Sequence, residues 1–285
     1  MNRYTIAAQD AHEGMKLMQF LRRSYPLAPE WAILKSLKAR DIKVNGVRAE
    51  VNRELDSGDL VEWYTLWSAA EIPIIYEDGN LLIVSKPAGL NTDEHKDGDF
   101  SLLSWAMERA RGEHYQPRLV HRLDNQTSGL IILAKNDQAQ EALIDALRQR
   151  EIVKRYVSLV AGCPKQGQAV LQDFMIKDAV GAKVQVYSKP VAGSKEIITE
   201  YRIIKAGEDF SRLEVTLHTG RTHQIRAHLA YIGHPVLGDD KYGDYEVNKR
   251  LHARRLMLAA TELSFHAAGY LAYLEGRQFT QEVPF

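Results

Sequence analysis

Three short stretches carry side chains on which chemistry could be built. The first is Arg118–Lys135, R-L-V-H-R-L-D-N-Q-T-S-G-L-I-I-L-A-K, where a charged turn runs into an apolar strand. Asp124 sits in the turn with His121 and Arg122 beside it. Gly129 to Ala134 is a continuous apolar run bounded by turn residues, the pattern of a buried strand. A carboxylate at the mouth of such a strand is held rigidly, as a catalytic group must be. A turn Asp that caps its own backbone is the structural alternative. The second stretch is Val153–Val160, a strand with Lys154 and Tyr156 on one face and Arg155 on the other. Tyr156 is either core filler with a bonded hydroxyl or a ring that lies against a substrate base. The third is H-T-G-R-T-H-Q-I-R-A-H-L, from His218 to Leu229. Gly220 breaks a strand there, and Thr222 can cap a helix whose inner face is Ile225, Leu229 and Ile232. Arg221 at that helix start opposes the macrodipole by roughly 0.3–1 kcal/mol, which a neighbouring anion would offset. Asp124 is the expected partner. At ~4 Å and an effective dielectric near 20, such a pair is worth about 4 kcal/mol before desolvation.

His218, His223 and His228 raise the question of a metal. His223 and His228 are five apart, not the four that one helical face requires, and no H-E-x-x-H or cysteine pair accompanies them. Satisfied structural histidines are expected, with no metal. Cys163 is the only cysteine, so no disulfide framework or thiolate cluster exists.

The elements around these stretches follow from periodicity. Ile72–Tyr76 and Leu81–Ser85 read as strands joined at Asp78-Gly79-Asn80. Leu102–Ala110 and Asp137–Arg150 read as helices, the latter with Ala139, Leu143 and Leu147 on one face. Tyr201–Ile204 and Arg212–Leu217 are further strands, and the second alternates apolar and polar as a half-solvated antiparallel strand does. Asn91–Asp99 reads as a polar surface loop. Phe265–Tyr273 is expected to begin the closing strands, and Lys249–Arg255 is a basic run that can meet phosphate or solvent.

The chain has 285 residues, 45% hydrophobic and 26% charged, with 37 basic and 37 acidic side chains. That is an ordinary globular composition, and the zero net charge argues against a bulk nucleic-acid binder. No run approaches the ~18 apolar residues of a membrane span, and the N-terminus has no apolar signal core. The expectation is a soluble cytoplasmic protein. Charge is nevertheless uneven. Residues 16–48 hold Lys16, Arg22, Arg23, Lys35, Lys38, Arg40, Lys43 and Arg48 against Glu30 and Asp41. Two short helices, near 14–24 and 29–39, precede a hairpin signalled by Asn45-Gly46, and a strand follows at Asp59–Tyr64. The basic face either tracks phosphates or is simply solvated.

Residues 14–64 resemble the small RNA-binding module of the S-four-type ribosomal protein, in which two helices precede a V-N-G hairpin and a G-D-x-V strand. This chain has Lys16-Leu17-Met18 where that family opens Arg-Leu-Asp, and acids follow its basic face. His121-Arg122-Leu123-Asp124 with Thr127-Ser128-Gly129-Leu130, Lys154-x-Tyr156, and Gly220-Arg221-Thr222-His223-Gln224-Ile225-Arg226-x-His228 resemble the signatures of RNA pseudouridine synthases of the RluA family. Glu77-Asp78, Lys86-Pro87-Ala88-Gly89 and Gly233-His234-Pro235-Val236-x-Gly238-Asp239 extend the likeness over residues 73–275. The resemblance implies an α+β fold, a mixed and largely antiparallel sheet with flanking helices and a central cleft, plus the small α+β RNA-binding domain. It implies residues 1–66 as that domain, 67–72 as a linker and 73–285 as the catalytic domain. It further implies isomerisation of uridine to pseudouridine in structured RNA, without cofactor, by a protein expected to act as a monomer. Large-subunit ribosomal RNA is the expected substrate and transfer RNA the alternative. Asp124 would be the catalytic carboxylate, Tyr156 the residue against the base, and Arg221 the partner of Asp124. Arg122 and His121 would meet the RNA, together with Arg22, Arg23, Lys35, Lys38, Arg40, Lys43 and Arg48. Leu130–Leu133 and Leu217 would form the apolar wall. A non-catalytic RNA-binding or ribosome-assembly factor is the rival reading.

Overall fold

The computed structural model describes residues 2–9, 11, 14–25, 28, 30–50, 53–65, 72–93, 101–178, 183–283 and 285. Its strands fall into two sheets with separate cores. The smaller sheet takes β1 (Asn2–Ala7), β2 (Ile42–Val44), β3 (Val47–Arg48) and β4 (Leu60–Thr65) in the order β1-β4-β2-β3. Helices α1 (Leu17–Ser24) and α2 (Glu30–Lys38) supply Leu17, Phe20, Leu21, Ile33 and Leu37 to a core shared with Ile42, Val44, Val61 and Trp63. The β2–β3 turn forms where Asn45-Gly46 places it. Asn45 and Gly46 both take left-handed backbone, φ 52° and 79°, which matches the twist of a two-residue hairpin. Asn45 also donates to Asp59 at 2.7 Å and accepts the Leu60 N–H at 2.8 Å, tying the turn to β4. Strand β1 was not anticipated. It closes the sheet edge by pairing along the whole of β4.

The larger sheet runs β11 (Val184–Tyr187), β10 (Gln168–Lys177), β12 (Lys195–Lys205), β13 (Phe210–Leu217), β9 (Ile152–Ala161), β14 (Leu258–Phe265), β8 (Ser128–Ala134), β6 (Leu81–Lys86), β5 (Ile74–Glu77). Strand β7 (Arg118–Leu119) adds to β8, and β15 (Gln278–Thr280) to β14. Every pairing is antiparallel except β8 with β14. The fold is therefore the expected mixed, largely antiparallel α+β type. Helices α3 (Leu102–Arg109), α4 (Asp137–Arg148), α5 (Gln224–Tyr231) and α6 (Tyr245–Arg250) complete it. Ser101 caps α3 in a reciprocal capping box with Ser104, and Asn136 caps α4 through the Ala139 N–H. Among the described residues no helix is long and apolar enough to cross a membrane.

The alternation of β8 divides two cores. Leu130, Ile132 and Ala134 pack with Leu81, Ile83, Ala139 and Leu143 on the α4 side. Ile131 and Leu133 join Leu123, Tyr156, Val215, Ile225 and Leu258 on the other. Ile72, placed by sequence at the end of a linker, is buried in this second core. The rest of that expected linker, 67–71, lies outside the described residues, as do 94–99 of the polar loop expected at Asn91–Asp99. The closing strand also differs. Phe265 ends β14 rather than starting a strand, and Gly269–Leu274 is a short 3-10 helix. Strand β14 is buried on both faces and so lacks the alternation that would have marked it.

At the centre, Gly129 faces Ala260 across the parallel pair. Its φ is 119°, and a Cβ there would lie 2.2 Å from the Ala260 carbonyl oxygen. Strain and collision act together at this position. Gly129→Ala is expected to lower unfolding stability by about 3 kcal/mol or more, measured by urea denaturation; a loss below ~1 kcal/mol would show that the pair tolerates a side chain.

Candidate active site

The turn carrying Asp124 is fastened on both sides by the segment that leaves β6. Thr92 Oγ1 donates to the Leu123 carbonyl at 2.8 Å and accepts the Leu123 N–H at 3.2 Å. Asn125 Nδ2 donates to Gly89 O at 3.1 Å and to Asn91 Oδ1 at 2.7 Å, and the Gly89 N–H donates to Asn125 O at 2.8 Å. Beneath them Lys86 is fully buried. Its ammonium donates to the carbonyls of Pro87 (3.0 Å), Leu90 (2.7 Å) and Asn125 (3.1 Å), so all three protons are used. Burial pushes Lys86 down to about 7, and the Asp124 charge acts the other way. Residues on both sides of Asp124 are thus fixed, while its own carboxylate keeps 23% of its surface open.

The partner of that carboxylate differs from the expected one. Arg226 Nη1 stands 3.6 Å from Asp124 Oδ2, and Arg221 makes no ion pair with it. The reason is the start of α5. The helix begins at Gln224 with His223 as N-cap in left-handed conformation, φ 55°, so Thr222 does not cap it and Arg221 lies exposed before it. Gln224 fixes this start instead, accepting from the Arg221 N–H (3.0 Å) and Thr219 Oγ1 (2.8 Å) and donating to Ile198 O (3.1 Å) and Thr199 Oγ1 (3.0 Å).

All of Gln224–Leu229 is buried, so its polar members need partners. Arg226 is held by Asp239 through Nε and Nη2, both at 2.7 Å, and reaches Asp240 at 3.1 Å. Burial opposes the Arg226 charge, but the Asp239 bonds outweigh it and its pKa rises. Asp239 is likewise penalised by burial and held below its usual range by Arg226 and the N–H groups of Tyr242 and Lys241. His228 Nε2 meets Asp173 Oδ2 at 2.9 Å and its Nδ1 meets Thr199 Oγ1 at 2.9 Å. His223 Nδ1 lies 2.9 Å from Tyr242 Oη, which also accepts the Val184 N–H at 2.9 Å. His218 pairs with Glu200 at 2.9 Å. The three histidines thus have protein partners, and among the described residues no cluster of three or more His, Cys, Asp or Glu could hold a metal.

Asp124, Tyr156, Arg122, His121, Arg221 and Leu217 all line one cleft of about 950 Å³. Leu130 does not, and none of Leu130–Leu133 reaches it. Those side chains fill the two cores on either face of β8, and Leu123, Ile225 and Leu258 supply apolar wall instead. Eight Lys or Arg and three Asp line the cleft, an excess that the neutral chain conceals. Tyr156 is buried on β9 between Val215 and Ala260. Burial first, then the Asp124 charge, push its hydroxyl above the usual range. In the small sheet's unit, Arg22, Arg23, Lys38, Arg40 and Arg48 are exposed and Lys43 lies 5.4 Å over the Tyr64 ring. The Lys35 side chain lies outside the described ones. Sequence reasoning gave no role to Lys86, Arg226 or Asp239. A lysine closing the apolar run L-L-I-V-S-K and an arginine on the buried face of a helix were the available signals.

A family model described as RNA pseudouridylate synthase matches residues 80–231. A ribosomal large subunit pseudouridine synthase C from Rickettsia felis is 31% identical, over 86% of this chain and 88% of its own. One from Vibrio parahaemolyticus is 32% identical, over 90% and 84%. The solved human RNA pseudouridylate synthase domain containing 1 shares the fold, with a TM-score of 0.62 and 24% identity over 75% of this chain and 84% of that one.

His121 gives the site a pH signature. Its Nε2 accepts the Ile132 N–H at 3.2 Å, and burial, then the Lys154 charge, push its pKa down to about 3. In the unfolded chain it titrates near 6.5. The unfolded state therefore binds an extra proton between those values, and stability falls as pH drops from about 6.5 toward about 3. His121→Gln is expected to flatten that fall, read as urea midpoints at pH 7 and 4.5; parallel wild-type and variant curves would contradict the assignment.

Proposed function

The chain belongs to the RNA pseudouridine synthase family, of RluA type, and we propose that it converts specific uridines of large-subunit ribosomal RNA with Asp124 as the catalytic carboxylate. The observation that carries this reading is the setting of Asp124. It is clamped through both neighbours, 3.6 Å from a buried guanidinium, and open to a basic cleft large enough for a nucleotide. The relatives named for large-subunit ribosomal RNA support the substrate. The enzyme would act in the cytoplasm.

The target uridine leaves its stack, at a few kcal/mol, and enters the cleft. Arg122, exposed at the rim, takes the vacated space, where a planar guanidinium can stack or reach phosphate. The bond from the sugar to ring nitrogen one breaks, the uracil turns, and a bond forms from the same sugar carbon to ring carbon five. Carbon five then loses a proton and nitrogen one gains one, so the product is an isomer of the substrate. Asp124 provides the negative charge or nucleophile at this centre. Arg226 anchors the carboxylate and Asp239 anchors Arg226. Tyr156 packs its ring against the base. Its raised pKa keeps the hydroxyl protonated at neutral pH, which suits a hydrogen-bond donor better than a base for the carbon-five proton. Arg221, exposed at the cleft, serves RNA contact rather than the carboxylate.

Residues 1–66 are assigned to an S-four-like RNA-binding domain, 67–72 to a linker and 73–285 to catalysis. The separate sheets and cores support that division, and Ile72 already packs in the second core. Arg22, Arg23, Lys38, Arg40, Lys43 and Arg48 would track phosphates.

Asp124→Asn keeps the shape and removes the charge. It is expected to reduce pseudouridine formation on ribosomal RNA at least about 10³-fold, with RNA affinity kept within about threefold. Product at the wild-type rate would defeat the assignment of Asp124. Absence of product from the wild-type protein on that RNA would defeat the substrate.

A further inference from the structure

The cleft has a side chamber that the steps above leave unused. It measures about 270 Å³ and joins the main cleft along Lys154, Leu217 and Gly220. Arg150, Lys154 and His218 bring basic groups to its wall, and no Asp or Glu lines it. The one carboxylate bound at its edge, Glu200, is engaged with His218 at 2.9 Å.

Lys154 is the unusual member. It is half-buried on β9, and burial alone pushes its ammonium below the usual range. Among the described residues it has neither a hydrogen-bond acceptor nor an acidic partner. Cations withdrawn from water are ordinarily paired. Gly220 leaves the approach to it open, for a Cβ at that glycine would stand 3.5 Å from Nζ. Lys154 in the wall therefore lacks an anionic or carbonyl oxygen.

Register says which part of a substrate could bring it. Lys154 and Tyr156 are two residues apart on one face of β9, about 6.8 Å along the strand. A base stacked against Tyr156 has Lys154 as its neighbour on the same strand face. We propose that Lys154, with Arg150 on the same wall, forms a subsite for a backbone phosphate next to the target uridine. This rests on the reading of the cleft as a uridine site.

Two measurements test it. The first is the salt dependence of binding to a short oligouridine, which needs no catalysis. Lys154→Gln is expected to weaken binding about tenfold and to reduce the salt slope by about 0.7, the value for one phosphate on a single strand. Lys154→Arg is expected to restore the slope, and thermal unfolding checks that both variants fold. The second uses a ribosomal RNA fragment that the wild-type protein modifies, with single neutral methylphosphonates placed in turn on each side of the target. At one position the methylphosphonate is expected to cost the wild type about as much affinity as Lys154→Gln costs, and to cost that variant nothing more. Independent, additive losses at every position, or an unchanged salt slope, would overturn the subsite. Failure of the wild-type protein to modify any fragment would fault the parent reading, and the oligouridine slope would still judge the phosphate contact.

Discussion

One guanidinium meets three carboxylates here, Asp239, Asp240 and Asp124, and it serves them unequally. Arg226 gives Asp239 two bonds of 2.7 Å and keeps 3.6 Å from Asp124. The tight pair is almost wholly buried, Arg226 at 4% and Asp239 at 0% side-chain exposure. A buried bidentate pair fixes geometry even where its net stabilisation is small, because removing either partner strands a charge at a cost of about 3–5 kcal/mol. The looser contact supplies positive potential to Asp124 without occupying its oxygens, as its proposed role requires. Asp124 is fixed from the other side through its backbone, where Lys86, Gly89, Asn91 and Thr92 hold Leu123 and Asn125.

This arrangement explains features that look unrelated in the chain. Helix α5 is buried from Gln224 to Leu229 yet holds Gln224, Arg226 and His228, and each reaches a partner on a different neighbour: β12, the Asp239 turn and β10. The helix is thereby pinned in rotation as well as position, with Arg226 Nη1 left 3.6 Å from Asp124. Gly129 allows β8 to lie against β14 at the point where Tyr156 pairs with Ala260. The strand that delivers Asp124 and the strand that delivers Tyr156 thus meet through a single intervening strand.

Much of this was legible in the sequence. The β8 run, the Asn45-Gly46 turn and the alternation of β13 announced themselves because turn chemistry and period-two burial are local properties. The cleft membership of Asp124, Tyr156 and Arg221 came from motif likeness, since residues some hundred apart share no local signal. The choice of Arg221 over Arg226 failed because helix starts are poorly marked when the cap is a left-handed histidine and the stabilising side chain is a glutamine inside the helix. Leu130 was misplaced because a strand buried on both faces does not reveal which face borders the cleft. Strands β10 and β11 went unread because Gln168–Lys177 alternates irregularly and Val184–Tyr187 is short.

We propose that Arg226, held by Asp239, makes Asp124 competent for the reaction. The direct measurement is single-turnover pseudouridine formation by Arg226→Gln combined with Asp239→Asn, which replaces the buried ion pair with neutral hydrogen-bonding groups and leaves no buried charge at either position. The expected result is a folded protein that binds RNA and forms product at least about 10²-fold more slowly. A folded double variant with the wild-type rate would contradict the claim.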